Sequence, residues 1–139
     1  MLLDFGAARP IDPEIAEGYK RLILAALAGD RDRVREEAAA AGFVSAVAIT
    51  RHRDRVDAMI DVIIDKLNRP GAFDFGDRSF VEPLRDQGIG VAADRAAWHI
   101  PPTDLLFVQR KISGMALLAA RLKARLDIRT LVDDYFANE

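Results

Sequence analysis

Apolar residues in this chain recur every three or four positions in one segment after another, and nowhere do they alternate with polar ones. That period restricts the fold to packed helices, because a half-buried strand needs a period of two. The segments are sharply punctuated. Asp12 is placed to cap a first helix, with Pro13 at its first position and Glu14 at its positive end. The stripe Ile15, Tyr19, Leu22, Ile23, Ala26 and Leu27 follows, and Gly29 closes it. Asp30 opens a second helix carrying Val34, Ala38 and Ala41, which stops at Gly42. Residues 43–50 read equally as a connector or an early helical turn. From about Arg51 to Leu67 the stripe is Val56, Met59, Ile60, Ile63, Ile64 and Leu67, closed by Asn68-Arg69-Pro70-Gly71.

Residues 70–78 read as a loop with two phenylalanines, and Phe80, Leu84, Gly88 and Val91 resume a helical spacing. Pro101-Pro102 forbids continuation. Thr103 is expected to cap the longest helix, reaching about Leu126 on the stripe Leu105, Val108, Ile112, Met115, Ala116, Ala119 and Leu122. Asp127 is expected to cap a last helix with Ile128, Leu131, Val132, Tyr135 and Phe136 inward. The expected fold is all-α, a single compact domain over 1–139 with about six helices.

Composition narrows the function classes. Lys+Arg 20 against Asp+Glu 22 leaves a formal net charge of -2, so no general attraction to nucleic acid is expected. The absence of cysteine excludes disulfides, thiolate metal sites and a cysteine nucleophile. No run of about 18 apolar residues exists, so no membrane span is expected. Asp4 interrupts the apolar start, so no signal peptide is expected and a cytoplasmic location is the default.

The chain holds two Asp-Phe-Gly tripeptides, at Asp4 and at Asp74. In kinases such an aspartate holds magnesium on the ATP phosphates. His52-Arg53-Asp54 also spells the start of a kinase catalytic loop, but the asparagine that loop needs five residues after its aspartate is replaced by Met59. Residues 51–67 keep an unbroken helical period, so Asp54 is expected on a helix and not in a loop. Asp4 is the better candidate, since it follows a strand-like apolar stub and precedes a loop and a capped helix. One carboxylate cannot hold magnesium and ATP by itself.

Other candidates have ordinary explanations. Asp57, Asp61 and Asp65 share one helix edge and are expected to be a solvated face offset by Arg53 and Arg69. His52 and His99 lack a second histidine at ligand spacing. Gly88-Ile89-Gly90 is a fragment of a dinucleotide fingerprint without its preceding strand. Gly114, inside a long helix at a cost of about 1 kcal/mol relative to alanine, is expected to mark a close helix contact. Trp98 beside Pro101-Pro102 is expected to anchor the core. Arg110 and Lys111 are a candidate interaction patch.

Four segments together resemble the C-terminal part of the AarF/UbiB family of atypical kinase-like proteins. Leu2-Leu3-Asp4-Phe5-Gly6-Ala7-Ala8-Arg9-Pro10 resembles that family's metal-binding turn. Gly18-Tyr19-Lys20-Arg21-Leu22 with Ala25-Ala26-Leu27-Ala28-Gly29-Asp30 resembles the helix that follows it. Arg69-Pro70-Gly71-Ala72-Phe73-Asp74-Phe75-Gly76-Asp77 resembles a loop of its bacterial members. Trp98-His99-Ile100-Pro101-Pro102, Gln109-Arg110-Lys111-Ile112-Ser113-Gly114-Met115 and Leu118-Ala119-Ala120-Arg121-Leu122 resemble its terminal helices.

The resemblance implies a truncated kinase-like C-lobe, with residues 1–10 the remnant of the metal-binding turn and 11–139 the helices. It makes Asp4 a magnesium ligand of the intact protein, with ATP as the nucleotide. It transfers no catalytic residue to this chain, whose isolated activity is expected to be nil. The family is linked to ubiquinone and other isoprenoid-lipid metabolism. The expected partner is the missing N-terminal kinase-like region or a second copy of the chain. An isoprenoid lipid in a groove beside the long helix, and a membrane-peripheral location, are further expectations.

Overall fold

The computed structural model describes residues 10–138. Asp4, with the rest of its Asp-Phe-Gly and the strand-like stub before it, lies outside the described residues. Six α-helices account for most of the described chain: α1 (Pro13–Leu27), α2 (Arg31–Ala40), α3 (Ala46–Leu67), α4 (Val81–Ala92), α5 (Thr103–Arg121) and α6 (Ile128–Ala137). A 3-10 turn, Arg95–Ala97, links α4 to α5.

The starts follow the capping residues. Asp12 Oδ1 accepts from the Glu14 amide at 2.8 Å, Asp30 Oδ1 from Arg33 at 3.0 Å, and Asp127 Oδ1 from Thr130 at 3.0 Å. Each satisfies an amide that the first helical turn leaves without a partner. Ser45, in the stretch that read two ways, caps α3 through the Ala48 amide at 3.0 Å, so the helix begins before Arg51. Gly29 and Gly42 end α1 and α2 at φ of 71° and 81°, where a side chain would be strained. Thr103 is not a cap. It is the first residue of α5, and Pro102 before it offers no side-chain acceptor.

One small sheet interrupts the helical design. β1 (Phe73–Asp74) pairs antiparallel with β2 (Arg125–Leu126), in the register Phe73 to Leu126 and Asp74 to Arg125. The expected loop at 70–78 is thus partly extended. Helix α5, expected to be the longest, has 19 residues against 22 in α3, and it stops at Arg121 because Lys123 takes a left-handed φ of 51° that turns the chain into β2.

The core lies among α1, α2 and α3. Ala25, Ala26, Val34, Val56 and Ile60 are buried together, with Leu22, Val44, Ile64 and Leu67 packed against them. Helix α3 also packs against α4, and the principal helix packings include neither α5 nor α6. Leu105, at 1% exposure, and Val108 bury only the first two turns of α5. Ile112, Met115 and Leu122, on the same stripe, are 50%, 73% and 71% exposed.

Candidate functional site

Two concavities and one surface gather the chemically interesting residues. The larger concavity is an apolar groove of about 990 Å³, floored by α1, α2 and α3 and rimmed by α4 and the 97–100 segment. Its expected position was beside the long helix, but α5 contributes only Ile112 to the lining. Tyr19 stands in the groove wall with its ring edge-on to Phe43, centroids 5.0 Å apart. Its hydroxyl is buried with no hydrogen-bond partner among the described residues, and burial pushes its pKa up. An unmet buried hydroxyl costs about 1–3 kcal/mol.

At the rim, the expected core anchor Trp98 is 66% exposed, and its Nε1 donates to the Ala92 carbonyl at 2.7 Å. Pro101-Pro102 therefore ends the preceding segment without drawing Trp98 inward. His99 Nε2 lies 2.7 Å from the Gly42 carbonyl oxygen, tying the same segment to the end of α2.

The smaller concavity, about 340 Å³, is polar and lies between the end of α3, β1 and the start of α6. Lys66 is buried there, with Nζ 2.6 Å from Asp77 Oδ2 and 5.4 Å from the ring centroids of both Phe73 and Phe80. The Lys66 hydrogen bond, reinforced by those from Ser79, holds the Asp77 carboxyl well below the usual carboxylate range. Across the cleft, Asn68 donates to the Ala26 and Ile64 carbonyls at 2.8 and 2.9 Å. Arg129 reaches the Leu27 carbonyl at 2.9 Å and Asn68 Oδ1. This network joins the ends of α1 and α3 to the start of α6. Periodicity gives no hint of it, since Asn68 reads only as part of a helix-closing segment and Arg129 lies off the apolar stripe of α6.

The kinase-like letters resolve into structure. Asp74 Oδ1 accepts from the Gly76 amide at 2.8 Å, so the second Asp-Phe-Gly closes a turn after β1. Asp54 is exposed on helix α3, as its period required. His52 kinks that helix, at φ -129° and ψ 33°, and its Nε2 lies 2.8 Å from Asp94 Oδ2. Arg51 reaches the same oxygen at 3.0 Å. Asp94 is depressed in pKa, first by His52, with further help from the Ala96 amide and Arg51.

The acidic edge of α3 is paired with arginines. Asp57 meets the buried Arg35, Asp61 meets Arg31 at 3.0 Å, and Asp65 meets Arg69 at 2.7 Å. Arg53 approaches Asp57 only to 3.9 Å, so α2 supplies most of the offset expected from α3 itself. Among the described residues no group of three or more histidines and carboxylates is placed to hold a metal ion.

At Gly90 a Cβ would meet the guanidinium of Arg55, the movable end of a flexible side chain. Gly114 has no packing explanation, for nothing among the described residues lies within 4 Å of where its Cβ would be. Arg110 and Lys111 are exposed on α5, with Lys111 Nζ 5.7 Å from the Phe107 ring centroid.

No protein-family model matches the chain. It is similar to the mitochondrial atypical kinase COQ8B of Rattus norvegicus, 30% identical over 135 residues, which cover 97% of this chain and 25% of the relative. The mitochondrial atypical kinase COQ8 of Schizosaccharomyces pombe is 29% identical over 94% of this chain and 21% of its own length. That of Saccharomyces cerevisiae is 29% identical over 98% of this chain and 27% of its own. The chain thus spans about a quarter of the length of these curated relatives.

Proposed function

Because the chain belongs to the AarF/UbiB family of atypical kinase-like proteins, we propose that it is the helical C-lobe part of such a protein, inert alone. One observation carries this reading. The similarity runs through nearly all of this chain but only about a quarter of each relative, so most of a kinase-like protein lies beyond what this chain matches. The part it plays is support. The α1–α3 core and the Asn68–Arg129 network fix α1, the first described helix after Asp4, and Asp4 serves as a magnesium ligand when the remaining kinase-like region supplies the ATP site.

The link to ubiquinone and isoprenoid-lipid metabolism comes with the family. Self-association and isoprenoid binding gain no support from the relatives. Among the described residues no helix is long and apolar enough to cross a membrane. A cytoplasmic, membrane-peripheral location remains part of the reading, and the mitochondrial names of the relatives set the alternative.

Calorimetry tests it. The chain alone takes up no ATP in the presence of magnesium. Tight, magnesium-dependent ATP binding by this chain would overturn the reading.

A further inference from the structure

Leu105 and Val108 in the first two turns of α5 are buried and Ile112, Met115 and Leu122 farther along are bare, yet the stripe does not change. Leu105, Val108, Ile112, Met115, Ala119 and Leu122 fall at alternating intervals of three and four along the whole helix. That repeat is the seam by which one helix packs lengthwise against another. The seam is used at Leu105 and Val108 and lies open at Ile112, Met115 and Leu122.

Charge says what the open part would receive. From Leu105 to Leu126 the chain carries Arg110, Lys111, Arg121, Lys123 and Arg125 and no carboxylate. None of these five makes an ion pair with the described residues. Lys111 flanks the seam next to Ile112, in the position where coiled helices choose their partners by charge. A second copy would set these cations against each other. A flat anionic bilayer fits poorly too, since Arg110 and Arg121 lie roughly half a turn around the helix from Ile112 and would face away.

We propose that the open seam of α5 receives an amphipathic helix whose apolar stripe meets Ile112, Met115 and Leu122, with flanking carboxylates that meet Lys111. This rests on the reading of the chain as part of a longer kinase-like protein, whose remaining length supplies the helix.

The test uses the whole chain and three labelled helical peptides of about 18 residues, five turns: Leu/Glu, Leu/Gln and Leu/Lys. Anisotropy should show the Leu/Glu peptide binding best, with the preference lost near 1 M salt, where the Debye length is about 3 Å. The exposed pair Ile112→Asp and Met115→Asp should abolish binding while circular dichroism stays unchanged. Lys111→Glu should shift the preference toward Leu/Lys, by roughly tenfold in the ratio of the two affinities. Equal binding of all three peptides, or none, overturns the proposal. Binding to anionic but not zwitterionic vesicles that Lys111→Glu removes would assign the surface to a membrane. Dimerisation lost in the Ile112→Asp, Met115→Asp variant would assign it to a second copy. These outcomes are independent of the ATP titration, so either reading can fail without the other.

Discussion

Arg35 and Arg121 are both arginines on helices, and they mark the two kinds of surface in this molecule. Arg35 is buried between α2 and α3 and bonded to Asp32 and Asp57. Arg121 ends α5 in open solvent with no carboxylate beside it among the described residues. The same contrast holds for apolar side chains, with Leu105 enclosed and Met115 bare on one stripe. Where α2 meets α3 the charges are paired, and the buried apolar residues of α1–α3 pack on one another within the chain. In the outer part of α5 both are left over, which marks a region built against something else.

The contrast breaks most visibly at the apolar positions. Leu105→Ala should destabilise by about 3 kcal/mol in urea unfolding, through lost burial and the cavity left behind. Met115→Ala should stay within about 0.5 kcal/mol. Similar losses for the two would mean that the outer part of α5 already packs within this chain.

A smaller difference is expected between the arginines. Arg35→Ala should cost about 2 kcal/mol, less than a fully enclosed pair because Asp57 keeps some contact with water. Arg121→Ala should be neutral within about 0.5 kcal/mol. A neutral Arg35→Ala would remove the electrostatic side of the comparison.

The gentlest probe is acid. Asp77 has its pKa lowered by Lys66 and Ser79, so its charged form adds stability that is complete above the unfolded aspartate range. That contribution fades as pH falls below about 4. Asp77→Asn should flatten this part of the acid-unfolding curve, and an identical curve for both proteins would show that the Lys66 contact adds nothing.

Helix identity and most helix starts were legible because they depend on local chemistry. Asp12, Asp30 and Asp127 cap in the structure as their sequence context predicts. The misses share a physical cause. A stripe at helical spacing shows which face of a helix is apolar, and is silent on whether a neighbour covers it, so Ile112, Leu122 and Tyr135 looked like core and are exposed. The β1–β2 pair was hidden because two residues per strand are too few to show alternation. Lys66 and Asn68 were passed over because their partners are remote in sequence or backbone carbonyls. The candidate site was least legible of all. Asp4, the one metal ligand that the resemblance implies, lies outside the described residues, and the Asp74 repeat serves a turn.

Trp98 has a practical consequence of another kind. It is the chain's one tryptophan, it is pinned to the Ala92 carbonyl by its indole N–H, and it stands two-thirds exposed beside the groove. The molecule therefore carries its own lamp. A helix or ligand arriving at that rim would shield the indole from water, shifting its emission to the blue and slowing its quenching by iodide. The filling of the groove could then be followed optically without attaching any label.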